Sequence, residues 1–164
     1  MLSINLTITR PHFLLEQNPN KIHWDILSTN PSAIRLLEWN PGKIDWIQLS
    51  ANPSAIRLLE QNPDKIDWKQ LSGNPRAVHL LERNPDKIDW YNLSTNPSAV
   101  VHLLEQNLDK VHWYALSANP SAVHLLERNQ DKINWYSLSQ NPAIFVYDYA
   151  ATKRCMFDLD LSRN

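Results

Sequence analysis

Tryptophan falls on a regular beat along this chain. Trp24, Trp46, Trp68, Trp90, Trp113 and Trp135 stand 22, 22, 22, 23 and 22 residues apart. The stretch Asn52 to Ser72, NPSAIRLLEQNPDKIDWKQLS, returns with small changes around each of them. A unit this short cannot bury its own apolar face, so self-similarity at a fixed period requires neighbouring units to stack into one continuous core. The units run 9–30, 31–52, 53–74, 75–96, 97–119 and 120–141, with a lead-in at 1–8 and a different tail at 142–164.

Each unit divides into two halves. In the first, Ala77, Val78, Leu80 and Leu81 fall in one arc of a helical wheel, and Arg76, His79, Glu82 and Arg83 share the other side. This predicts an amphipathic helix of two to three turns over Pro75 to Arg83. Asn74 caps its start and Pro75 takes the first helical position, where no amide partner is lost. The Asn84-Pro85 pair ends it, because a residue before proline is pushed out of the helical region. The second half opens with a type I turn at NPDK. Ile88, Trp90 and Leu93 then fit neither a helical face nor a strand alternation. The conflict resolves if Asp89 is a helix cap, with Ile88 and Leu93 closing a hydrophobic staple. A short helix, Trp90 to Ser94, follows, with Trp90 and Leu93 towards the core. Asp45, Asp67 and Asn134 repeat the cap; His23 and His112 are poorer ones.

The strand pattern of leucine-rich repeats fails at Gly73 and Asn74, and the longer tetratrico and ankyrin signatures are missing. The expected fold is all-α: an α-solenoid of six 22-residue repeats, two short helices each, closed by a C-terminal capping helix. That cap would use Ile144, Phe145, Val146, Tyr147 and Tyr149. Unit five carries Val100-Val101 where other units have one residue, predicting a shifted helix start or a local bulge and a small change of pitch. Leu108 and Gln130 replace the second proline in units five and six, which predicts looser turns there.

Sixteen basic and seventeen acidic side chains nearly cancel, so no long-range field draws the chain to nucleic acid or to an anionic membrane. One cysteine, Cys155, makes no internal disulfide, and the opening MLSINLTITR lacks the apolar core of a signal peptide. These features predict a soluble intracellular chain that turns at stiff Asn-Pro pairs, eleven prolines standing against two glycines.

The block NP-x-A-I/V-x-LLE-x-NP-D-K-I-D-W-x-x-LS, with the closing segment NPAIF-x-YDY at Asn141 to Tyr149, resembles a family of short tandem-repeat proteins that giant viruses of amoebae encode in many copies. The likeness covers about residues 9–149. It implies a viral origin, residence in host cytoplasm, viral factory or virion, and a non-enzymatic repeat scaffold. It carries over no catalytic residue.

Within a stack, every repeat position becomes a column. Asparagine recurs before both turns, at Asn30, Asn52, Asn74, Asn96, Asn119 and Asn141 and at Asn18, Asn40, Asn62, Asn84, Asn107 and Asn129, where its amide can bond turn backbone. Lys21, Lys43, Lys65, Lys87, Lys110 and Lys132 form a basic column, read as helix-dipole and charge pairing with neighbours such as Asp64 and Asp86 in preference to a phosphate track. His79, His102 and His124 continue Arg35 and Arg57, each three residues before a glutamate on the same helix. A column with a helix-width step does not converge on one metal ion. It does make a stripe that gains positive charge as histidine protonates.

Recognition belongs to the columns that vary. After each ladder tryptophan come Asp25, Ile47, Lys69, Tyr91, Tyr114 and Tyr136, where tyrosine can supply an adhesive strip or pack on its neighbours. Trp39 is the off-beat tryptophan, either a contact anchor or folded over Pro41. The expected function is a protein-interaction scaffold with no enzymatic activity, cofactor or metal and no membrane partner, and with end-to-end self-association open. The alternative is a nucleic-acid-binding helical repeat, which would need a basic groove. Catalysis would need a phosphate-binding glycine loop, a metal-ligand cluster or a nucleophile with its base, and none is written here.

Overall fold

The computed structural model describes residues 13–99 and 103–144, and within them every element is helical. In the second halves, short α-helices begin at each ladder tryptophan: Trp24–Thr29, Trp46–Ala51, Trp68–Ser72, Trp90–Thr95, Trp113–Ser117 and Trp135–Leu138. Each packs on the corresponding helix of the next unit. The first halves supply Phe13–Gln17, Ile34–Trp39, Ile56–Glu60, Val78–Glu82 and Val123–Glu127. They are shorter than the sequence predicts. The prolines after Asn30 and Asn119 start a separate 3₁₀ turn, Pro31–Ala33 and Pro120–Ala122, before the α-helix begins. No helix of the described residues is long and apolar enough to cross a membrane.

The caps follow the local chemistry. Asn74 Oδ1 accepts from Arg76 N at 3.0 Å, and its counterparts in the five other units do the same. Asp45, Asp67, Asp89 and Asn134 accept from the amide three residues on, whereas His23 and His112 make no capping bond. The second asparagine column closes the first-half helices: Asn84 Nδ2 donates to Leu80 O at 2.9 Å, as do Asn40, Asn62, Asn107 and Asn129 to their own carbonyls four residues back. Asn129 keeps φ −135° and ψ 52° although Gln130 follows it, so the turn retains its shape without proline. Both glycines and all other described residues keep negative φ.

The core is a leucine column. Leu37, Leu49, Leu59, Leu71, Leu81, Leu93, Leu104 and Leu116 are fully buried. Each contributes about 1.5–3 kcal/mol of transfer free energy. The staple pair Ile88 and Leu93 lies within this core. Unit five absorbs its extra residue as a bulge: Leu103 N and Leu104 N both donate to Ala99 O, at 3.0 and 3.3 Å, the second bond spanning five residues. Both leucines stay buried as a result. His102 lies outside the described residues, as do the lead-in and the tail from 145 on; the described part of the proposed cap is a 3₁₀ turn, Pro142–Ile144.

Candidate functional site

Two seams join each unit to the next, and the side chains left over form the outer surface. The buried seam is made by the LS serines and the first asparagine column. Ser72 Oγ donates to Trp68 O at 2.7 Å and accepts from Asp89 N at 3.0 Å, so one hydroxyl ties its own helix to the cap of the following unit. The same acceptance recurs from Ser28 to Asp45, Ser50 to Asp67, Ser94 to His112 and Ser117 to Asn134. Asn96 Nδ2 reaches back the other way, to Ser72 O and Asn74 O, both at 3.0 Å. Asn74, Asn119 and Asn141 repeat this pair of bonds. These serines and asparagines are almost wholly buried, and among the described residues no buried side-chain nitrogen or oxygen lacks a partner. The serines are therefore inter-unit ties.

The outer seam corrects the reading of two columns. Lysine does not pair with its acidic neighbours: among the described residues none of these lysines has a carboxylate within ion-pair distance. Lys65, Lys87, Lys110 and Lys132 instead lie over the indoles of Trp46, Trp68, Trp90 and Trp113 in the preceding unit, 4.6–5.1 Å from the ring centroids. Those tryptophans are half-buried, with one face on the core and the other under an ammonium group. An aromatic face in a partly wet setting attracts a cation more cheaply than a lysine can be desolvated beside a carboxylate. Histidine is redirected in the same way. His79 Nε2 meets Glu60 Oε1 and His124 Nε2 meets Glu105 Oε1, both at 3.0 Å, across units and not within one helix. Both columns reach back by 19 residues, or by 20 for Lys110 and Trp90 across the longer unit, a span that local helical spacing does not reveal.

The variable column is exposed. Ile47, Tyr91, Tyr114 and Tyr136 are all open to solvent, Tyr91 at 48% of its surface, and Lys69 shares that exposure. The two central tyrosines are organised through a residue that sequence reasoning treated only as a weak cap. His112 stands edge-on to Tyr91 at 4.8 Å and to Tyr114 at 6.4 Å between ring centroids. Tyr91, His112 and Tyr114 thus form one aromatic ridge across units four and five. The signal was the replacement of the capping aspartate by histidine beside two tyrosines. Trp39 is 56% exposed, with the Arg35 guanidinium 5.8 Å from its ring.

The last unit departs from the others. Trp135 has no lysine over it among the described residues and is 67% exposed, whereas the other five ladder indoles are half-buried. No known protein family matches this chain, and no curated protein or solved structure does so either.

Proposed function

We propose that the chain is an α-solenoid of six 22-residue units that serves as a non-enzymatic scaffold for protein–protein interaction. The observation that carries this reading is the exposed Tyr91–His112–Tyr114 ridge, standing on units whose buried polar groups are satisfied. Tyrosine brings apolar contact area at low entropic cost together with a polar tip, the combination enriched where proteins meet. Trp39, Ile47, Lys69 and Tyr136 extend the variable surface, while His79 and His124 are engaged with glutamates. The occupation of four lysines by indoles weighs against a phosphate-contacting groove. The giant-virus resemblance of the units makes proteins of the virion and of the infected amoeba the first partners to search.

The test is affinity capture with the intact chain, followed by titration of the purified partner against the intact chain and a Tyr91→Ala/Tyr114→Ala variant. Loss of the two rings is expected to weaken binding about tenfold or more, with the thermal melt unchanged. Equal affinity of the two proteins removes the ridge from recognition. A salt-steep affinity for RNA or DNA, with no protein partner, would replace this reading with the nucleic-acid one.

A further inference from the structure

The column that carries the tyrosine ridge advances by one unit at a time, and that step selects the shape of what can lie along it. It puts one exposed side chain on each of four inner units, Ile47, Lys69, Tyr91 and Tyr114. Their helices pack directly on one another from unit to unit, and packed helices stand about 8–10 Å apart. The ring distances agree. With His112 4.8 Å from Tyr91 and 6.4 Å from Tyr114, the two tyrosine rings are separated by no more than about 11 Å.

Three backbone shapes meet that step differently. Side chains on one face of a β-strand recur about every 6.6–6.8 Å and lose register within one unit. An α-helix returns to the same face after two turns, about 10.5 Å. It docks, however, by burying a continuous apolar stripe, and Lys69 and the tyrosine hydroxyls interrupt one here. Polyproline II advances about 9.3 Å for each turn of three residues, inside the range of the unit step. Its backbone makes no internal hydrogen bonds, so its carbonyls are free to accept. Tyr91 Oη and Tyr114 Oη are free to donate, since neither has a hydrogen-bond partner among the described residues.

Charge adds a second requirement. His112 holds the cap position and stands between the tyrosines of its own and the preceding unit. In units three and four the same position belongs to Asp67 and Asp89. The edge therefore passes from carboxylates to rings, with Lys69 as the one cation of the column. Among the described residues neither aspartate has a cation within ion-pair distance, and Lys65 and Lys87 lie over indoles.

We infer that the ridge binds a proline-rich segment in the polyproline II conformation, with prolines against Tyr91, His112 and Tyr114 and a lysine or arginine at the acidic side, by Asp67 and Asp89. The segment is stiff before it binds, so little entropy is lost in docking it. This inference rests on the ridge being a protein-binding surface and names the class of partner.

The test is fluorescence anisotropy of the full chain with a labelled peptide of about nine prolines, about 28 Å long, carrying an arginine pair at each end. Binding is expected with a Kd below about 1 mM. Tyr91→Ala/Tyr114→Ala should weaken it about tenfold or more. Tyr91→Phe/Tyr114→Phe keeps the rings and loses only the hydroxyls, so its loss should be smaller. Asp67→Asn/Asp89→Asn, which retains a capping oxygen, should weaken the arginine-bearing peptide about twofold to fivefold and leave a peptide of prolines alone unaffected. No binding up to about 5 mM overturns the inference. So does equal affinity for a glycine-serine peptide with the same arginines, or affinity that the alanine pair does not change. A captured partner that still loses affinity for Tyr91→Ala/Tyr114→Ala would then keep the ridge as a protein-binding surface of another kind, so the two readings fail separately.

Discussion

The buried seam and the outer seam join the same pairs of units, yet they differ in what a lost contact would cost. Along the buried seam, Asn96 bonds backbone groups in the interior and the buried Ser72 hydroxyl holds the part-buried amide of Asp89. Along the outer one, Lys87 over Trp68 and His79 against Glu60 are contacts that solvent can replace on either side. Stability is therefore expected to reside chiefly in the inner line. That line also tolerates a change of side chain at the cap: in unit five His112 replaces the capping aspartate and still gives its amide to Ser94 at 3.0 Å.

The sharpest way to break the comparison is Asn96→Ala. It leaves Ser72 O and the second site on Asn74 O unsatisfied in the interior and also removes the cap on Ser98 N. A loss of about 2–4 kcal/mol is expected in chemical denaturation; a loss below about 1 kcal/mol would mean that water enters the seam. Ser72→Ala should come next, at about 1–3 kcal/mol, because Asp89 N loses its acceptor while the Trp68 carbonyl keeps its helical surroundings. Lys87→Gln should cost least, about 0.5–1 kcal/mol, the range of an exposed cation over an indole. If Lys87→Gln proved as damaging as Asn96→Ala, the two seams would be equivalent and the distinction would fail.

What the sequence made legible was everything that depends on neighbours along the chain. Asn74 and Asp89 were readable as caps because the amides they serve lie two and three residues away. The disturbance in unit five was readable as a shifted helix start or a bulge, because one added residue has few places to go in a short helix, and the bond from Leu104 N to Ala99 O is of the bulge type. Lysine and histidine were misread for the converse reason. Their partners lie 19 or 20 residues back, and that span depends on how far one unit is displaced against the next, a quantity set by packing of the leucine column and not written in any local spacing. The glutamate three residues on is the nearest charge by helical arithmetic, but Glu60 approaches His79 more closely than Glu82 does once the units are in register. The aromatic ridge was half visible: its tyrosines stood out as a variable column, while His112 looked like a flaw in a cap.

Because each serine and asparagine of the inner line bonds only within its own unit or to an adjoining one, no residue in it records how many units precede or follow. A gene that gains or loses one 66-nucleotide block would still encode a chain in which every such bond can close. The span between the tyrosine ridge and either terminus would then change in steps of one unit, without repacking the interior.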